Sequence, residues 1–144
     1  MLLWIGSFRR DLIVGFKRTK KYRPEHFDLL KALLRPVSQL VVTPHILTEV
    51  NSLAGHLPED VCEGFRRALV QTIRGSVEQE VAATKLVAQD WYPRLGIADA
   101  ALTELARNGR LIITDDLPLY VHLAEHRWPV LNFTHVLRAV FDWR

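Results

Sequence analysis

The residues best suited to chemistry in this sequence are four carboxylates, Glu49, Asp99, Asp115 and Asp116. They come from three separated segments, and no lysine or arginine stands next to any of them. Carboxylates gathered without neighbouring cations suit a hard divalent cation such as Mg²⁺ or Mn²⁺. Such a site lowers the pKa of a bound water and holds a phosphate oxygen, so the chemistry it favours is phosphodiester hydrolysis.

A second interpretation of the same acids needs no metal. Asp99 falls in the first turn of a predicted helix, where the helix dipole favours a negative charge. The other carboxylates would then be helix caps or ordinary surface charge. Residue spacing alone leaves both interpretations open.

The elements that must position these acids are a helix and a short strand. Ala98, Ala101 and Leu105 recur at helical spacing and predict a helix from about Ile97 to Asn108, ended by Gly109 in a left-handed conformation. The apolar run inside residues 110–114 predicts a strand covered on both faces, as in a parallel sheet. Ligands bind beyond the carboxyl ends of such strands, which is where Asp115 and Asp116 follow.

Helices and strands alternate along the rest of the chain. Short apolar runs predict two more strands, at 39–43 and 129–133. Periodicity and Pro/Gly punctuation predict helices at about 24–35, 44–54, 58–74, 76–92, 117–127 and 134–140, and residues 1–8 are predicted to be a buried helix or the end of a core strand. Without a hairpin signal, this order predicts an α/β fold with a parallel sheet, in a single domain over 1–144.

Composition and motifs exclude several classes of protein. The single cysteine, Cys62, cannot form an internal disulfide and is predicted to lie in the core. No apolar stretch is long enough to cross a bilayer and the opening lacks the basic region of an export signal, so we expect a soluble, cytoplasmic protein. His122 and His126 have metal-ligand spacing but no further zinc ligand, which favours surface histidines.

A cluster of positive charge lies between residues 9 and 23, which we call the basic arm. Its only acid is Asp11, so the arm carries +6 in a chain whose formal charge is +3. A concentrated basic segment on a mildly acidic body is typical of a protein that binds nucleic acid, and a solvated loop is the alternative. The predicted RNA-binding residues are Arg9, Arg10, Lys17, Arg18, Lys20, Lys21 and Arg23.

Three segments together resemble the PIN-domain family, small α/β nucleases that include the toxins of toxin–antitoxin pairs. They are TPHILTEV, LGIADAAL and LIITDD, in that order along the chain. The resemblance implies a three-layer α/β/α sandwich with a short parallel sheet, and RNA cleavage with Mg²⁺ or Mn²⁺. Glu49 and Asp99 would then hold the metal, Asp116 would complete its ligands with a contribution from Asp115, and Thr114 would brace the site.

The chain departs from the family pattern at its start. The family's first strand ends in an acid within a D-x-N pattern, and Met1 stands where that pattern should have finished. We expect either that the sequence is set to start too late or that this is a degenerate member. The predicted function is a metal-dependent endoribonuclease, and the alternative is a non-catalytic RNA-binding or protein-interaction domain. Candidate partners are RNA, a cognate antitoxin and a second copy of the chain.

Overall fold

A computed structural model describes residues 1–141 of the chain, which contain nine helices and four short strands. The described chain divides into two compact units, Met1–Gln79 (unit 1) and the part from Glu80 onward (unit 2). Each unit contains one pair of parallel strands together with helices, so the α/β prediction is confirmed. None of the helices within residues 1–141 combines the length and the apolar character needed to cross a membrane.

Unit 1 is built around a parallel pair formed by its two strands. Leu40 lies opposite Ser76, and Val42 lies opposite Glu78. Parallel strands need a long crossover, which two of the helices supply. The elements of unit 1 are α1 (Leu2–Phe8), α2 (Leu12–Gly15), α3 (Pro24–Leu34), β1 (Leu40–Val42), α4 (Pro44–Ala54), α5 (Glu59–Arg74) and β2 (Ser76–Glu78).

Unit 2 repeats the arrangement with a shorter crossover. Thr114 lies opposite Asn132 in its parallel pair, and one helix joins the two strands. Gly96, at a φ of 80°, breaks the longest helix just before Ile97, and Gly109, at a φ of 83°, has the predicted left-handed conformation. The elements are α6 (Ala83–Val87), α7 (Tyr92–Arg107), β3 (Ile112–Thr114), α8 (Leu117–Glu125), β4 (Val130–Asn132) and α9 (Phe133–Phe141).

Two predictions about the sheet are wrong. The helix predicted over 76–92 is instead strand β2 followed by α6, because Ser76–Glu78 forms backbone hydrogen bonds with β1. The described residues hold four strands in two separate sheets, where three strands in one sheet were predicted. In addition, Leu111 was placed in a buried run and its side chain is 57% exposed. A single-sheet PIN-like sandwich is therefore not confirmed.

The opening segment of the chain belongs to the core of unit 1. Residues 2–8 form the helix α1, one of the two predicted alternatives, and Ile5 is completely buried. Two glycines, one on α1 and one on α5, allow α1 to pack closely against α3 and α5. A Cβ on Gly6 would collide with the Phe27 ring of α3, and a Cβ on Gly64 of α5 would collide with the Phe8 ring. Both glycines are thus required by close packing.

An ion pair links two helices of unit 2. Glu104 of α7 is only 2% exposed, and its carboxylate lies 2.7 Å from Nζ of Lys85, a half-exposed side chain of α6. Arg107, which is also half-exposed, lies 3.4 Å from the other carboxylate oxygen. The buried carboxylate of Glu104 thus has two cationic partners, and the pair with Lys85 joins α6 to α7.

Exchange of a single glycine tests the packing of α1. We expect Gly6→Ala to lower the free energy of unfolding by about 1–3 kcal/mol, because the added methyl group overpacks the contact with Phe27. Gly15→Ala in α2 is the matched control, since an added Cβ there meets no atom within 4 Å. It should be neutral or stabilising by up to about 1 kcal/mol. Urea denaturation of both variants measures the difference, and equal stabilities would contradict the packing argument.

Candidate active site

Two of the predicted site residues, Thr114 and Asp116, lie at the carboxyl end of β3 and form hydrogen bonds with the backbone there. The Asp116 backbone N–H donates to Thr114 Oγ1 at 3.0 Å, so the threonine braces the backbone of the acid. Asp116 Oδ1 in turn accepts a hydrogen bond from the Leu119 N–H at 2.7 Å. Asp116 is therefore the N-cap of α8, as the metal-free interpretation predicted, and one of its two oxygens is committed to that role.

Asp99 lies on α7, in the same unit as this strand. It is the third residue after the Gly96 break and is half-buried, and α7 contacts both β3 and α8. Asp115 is exposed at the strand end. Glu49 is exposed on α4 in unit 1, and its predicted participation in the acid set stays a prediction.

A preformed metal cage is absent from the described chain. Within residues 1–141, no three His, Cys, Asp or Glu side chains form a group that could hold an ion. Carboxylate oxygens nevertheless have the chemistry that Mg²⁺ prefers, and Mg²⁺ is commonly held by one or two carboxylates together with waters and substrate phosphates. Asp99, Asp115 and Asp116 thus qualify as candidate ligands by their chemistry, with the remaining positions left to water and substrate.

The sequence analysis missed Asn132, which lies next to Thr114 across the strand pair. Its side chain is 3% exposed, and Oδ1 accepts a hydrogen bond from the His135 N–H at 3.1 Å. Asn132 therefore caps α9 in the way that Asp116 caps α8. An asparagine directly before a helical pattern is a recognised capping signal and could have identified it.

Unit 2 also contains an aromatic–histidine cluster, formed by Trp91, Arg94, His122, His126 and Trp128. The prediction that His122 lies on the surface is wrong, since it is only 3% exposed, whereas His126 is exposed as predicted. The rings of the two histidines are 4.6 Å apart, and the His126 ring stacks on Trp128 at 4.5 Å. Burial of His122 follows from the indoles that surround it.

The protonation state of His122 follows from its neighbours. The Arg94 guanidinium lies 3.0 Å from His122 Nδ1 and can only donate, so the imidazole proton resides on Nε2. That Nε2 has no hydrogen-bond partner among residues 1–141. Burial lowers the pKa of His122, and the positive charges of His126 and Arg94 lower it further.

Ion pairs divide the basic arm into two parts, although all seven of its cations are exposed. Arg9 pairs with Asp11, and Arg10 pairs with Asp28, an acid outside the arm. Lys17, Arg18 and Lys20 take part in none of the ion pairs of the described chain. The arm's positive charge that no carboxylate of the described chain pairs with therefore includes Lys17, Arg18 and Lys20.

Comparisons of the chain with models of known protein families, with curated proteins and with solved structures found no match. The PIN-like resemblance therefore stays a prediction that rests on the three segments quoted above. Function has to be argued from the arrangement of the acids and cations in each unit.

The buried imidazole makes the stability of the protein depend on pH. Because the folded-state pKa of His122 lies below its unfolded value, the folded state binds fewer protons and loses stability as pH falls through about 6.5. His122→Phe keeps an aromatic ring at this position and removes the titration. We expect it to shrink the difference between the urea midpoints measured at about pH 7 and about pH 5.

Two variants complete this measurement. His135→Gln changes an exposed histidine outside the cluster and should keep the wild-type difference. Burial also lowers the pKa of His26 in unit 1, so some pH dependence should survive in His122→Phe and become smaller when His26 is replaced as well. A midpoint difference unaffected by His122→Phe would show that this imidazole is not a source of acid sensitivity.

Proposed function

We propose that the protein is a metal-dependent endoribonuclease of PIN type and, as the resemblance implies, the toxin of a toxin–antitoxin pair. The observation that carries this proposal is the strand end at Thr114–Asp116, where a braced carboxylate lies at the carboxyl edge of a parallel strand and at the N-terminus of a helix. Such edges are where ligands bind in parallel sheets. The cations of the basic arm supply the affinity for a polyanionic substrate.

Each residue has a part in the proposed reaction. Asp99 and Asp116 would hold Mg²⁺ or Mn²⁺, with Asp115 as a further ligand and Thr114 fixing the backbone of Asp116. The ion, when bound, supplies positive charge to the scissile phosphate and acidity to a coordinated water. The N-terminus of α8 adds a positive dipole end that favours a phosphate oxygen. The exposed cations between residues 17 and 21 contact the RNA backbone.

A second candidate is an RNA-binding protein that does not cleave. The observation that favours it is the cap formed by Asp116, which gives this carboxylate a structural role without a metal. Both candidates share the basic arm and differ in whether the acids bind a cation.

A change from Asp116 to Asn separates the cap from the metal ligand. Asparagine caps helices as well as aspartate does, so Asp116→Asn should leave the free energy of unfolding almost unchanged, whereas Asp116→Ala should lower it by about 1 kcal/mol. Under the nuclease proposal, Asp116→Asn and Asp99→Asn should both reduce Mn²⁺-dependent cleavage of labelled RNA by about 100-fold or more. A residue that only supports a metal ligand typically costs about 10- to 100-fold in activity when it is replaced. Cleavage at the wild-type rate by both variants would contradict the nuclease proposal.

Metal binding without RNA gives an independent measurement. Ligands that bind only the folded state stabilise it, by about 2.7 kcal/mol at a concentration of 100 times Kd. Millimolar Mn²⁺ should therefore raise the Tm by several degrees in wild type and by much less in the double variant Asp99→Asn/Asp116→Asn. An unchanged wild-type Tm, together with RNA binding in EDTA, would favour the non-cleaving candidate.

A further inference from the structure

A cavity of about 650 Å³ lies beside the basic arm, entirely within unit 1. It is partly open to solvent and is lined by α2, the segment that follows α2, the turn between α4 and α5, and the first turn of α5. Its volume falls within the usual range for ligand sites, about 300–1,000 Å³. The predicted acid site uses none of the residues that line it.

The lining has two chemically distinct parts. Phe16, Leu57 and Val61 give an apolar wall, and each is less than 10% exposed. Lys17, Arg18 and His56 also line the cavity, and all three are exposed residues whose side chains carry nitrogen donors. No carboxylate within residues 1–141 lines it, so the cavity is complementary to a ligand with an apolar or aromatic part and a negative charge.

We propose that this cavity receives one nucleotide of a single-stranded RNA, with the base against the apolar wall around Phe16 and the phosphate on Lys17 and Arg18. A nucleotide combines a flat apolar face with a phosphate, as both parts of the lining require. Lys17 and Arg18 have no competing ion pair in the described chain, whereas Arg9 and Arg10 are already paired. The exposed Lys20 and Lys21 continue the positive surface for the neighbouring phosphates.

This inference deepens the RNA-binding part of the proposed function and rests on it, but it does not depend on cleavage. It divides the arm into a cavity-lining pair, Lys17 and Arg18, and a pair outside the cavity, Lys20 and Lys21. The two pairs carry the same charge in the same segment. They therefore provide matched variants that separate a shaped site from general electrostatic attraction.

The first experiment measures binding of a short fluorescein-labelled single-stranded RNA in EDTA, by fluorescence anisotropy over a range of salt concentrations. Both Lys17→Ala/Arg18→Ala and Lys20→Ala/Lys21→Ala should flatten the salt slope, by roughly 0.7 for each phosphate that the variant no longer neutralises. The cavity-lining pair should weaken binding about 10-fold more than the other pair, since a phosphate that is no longer held in place also releases the stacked base.

The second experiment uses a variant that fills the cavity and leaves the charge unchanged. Gly15 lines the cavity, and an added Cβ meets nothing within 4 Å, so Gly15→Trp can fold while its indole competes for the space of the base. It should weaken RNA binding about 10-fold at an unchanged salt slope. Val14→Trp is the control, because Val14 is 53% exposed on the same helix and does not line the cavity. Circular dichroism confirms the fold of each variant.

The outcomes separate the inference from the function on which it rests. The cavity site would be overturned if the two double-alanine variants weakened RNA binding equally and Gly15→Trp did not weaken it. RNA binding by the basic arm would then remain. No RNA binding by wild type would overturn both. If free uridine monophosphate competes as strongly as RNA does, the ligand of the cavity is a free nucleotide and not a segment of RNA. If Gly15→Trp abolishes binding to vesicles of anionic phospholipid and leaves RNA binding unchanged, the ligand is a lipid.

Discussion

Parallel pairing of very short strands is the constraint on which both units depend. Each strand has only three residues, and parallel neighbours cannot be joined by a tight turn, so helices must carry the chain back before the partner strand can form. Every crossover then begins where a strand ends, and the first backbone N–H groups of its helix need acceptors. Thr43, Asp116 and Asn132 supply those acceptors for α4, α8 and α9. The carboxyl edge of each strand pair is polar because the fold requires caps there.

This requirement changes how the acids at the strand ends should be judged. Asp116 would occur at its position even in a protein without a metal, because an N-cap stabilises α8. The cap occupies Oδ1, however, and the hydrogen bond from the backbone to Thr114 holds the carboxylate at the N-terminus of the helix. A capping aspartate is thus already oriented where an anion or a cation-bound phosphate would be stabilised. One carboxylate can therefore both cap a helix and bind a cation. Capping needs only a hydrogen-bond acceptor, whereas the proposed metal binding needs the negative charge of Asp116.

Local signals in the sequence predicted most of the helices and three of the four strands. Pro44 and Gly109 mark helix boundaries through backbone chemistry that acts within a few residues, and Thr43 caps α4. Strand β2 escaped prediction because its single apolar residue, Val77, is 39% exposed and its conformation depends on pairing with β1. Burial of His122 was missed for a similar reason, because it depends on tertiary contacts with Trp91 and Arg94. For the candidate site, the strand-end position of Asp116 followed from the sequence, whereas its hydrogen bond from the Leu119 N–H did not.

The basic arm shows what a count of charges leaves out. In the sequence its seven cations are equivalent, and together they indicate only a polyanion. In the fold, Arg9 and Arg10 are paired with carboxylates and exposed, so much of their charge is neutralised locally. Lys17 and Arg18 keep their charge and stand at a cavity with an apolar wall. Positive charge alone attracts any anion. Where unpaired cations lie beside a cavity, the ligand must be negatively charged and must also fit the cavity, so binding becomes selective.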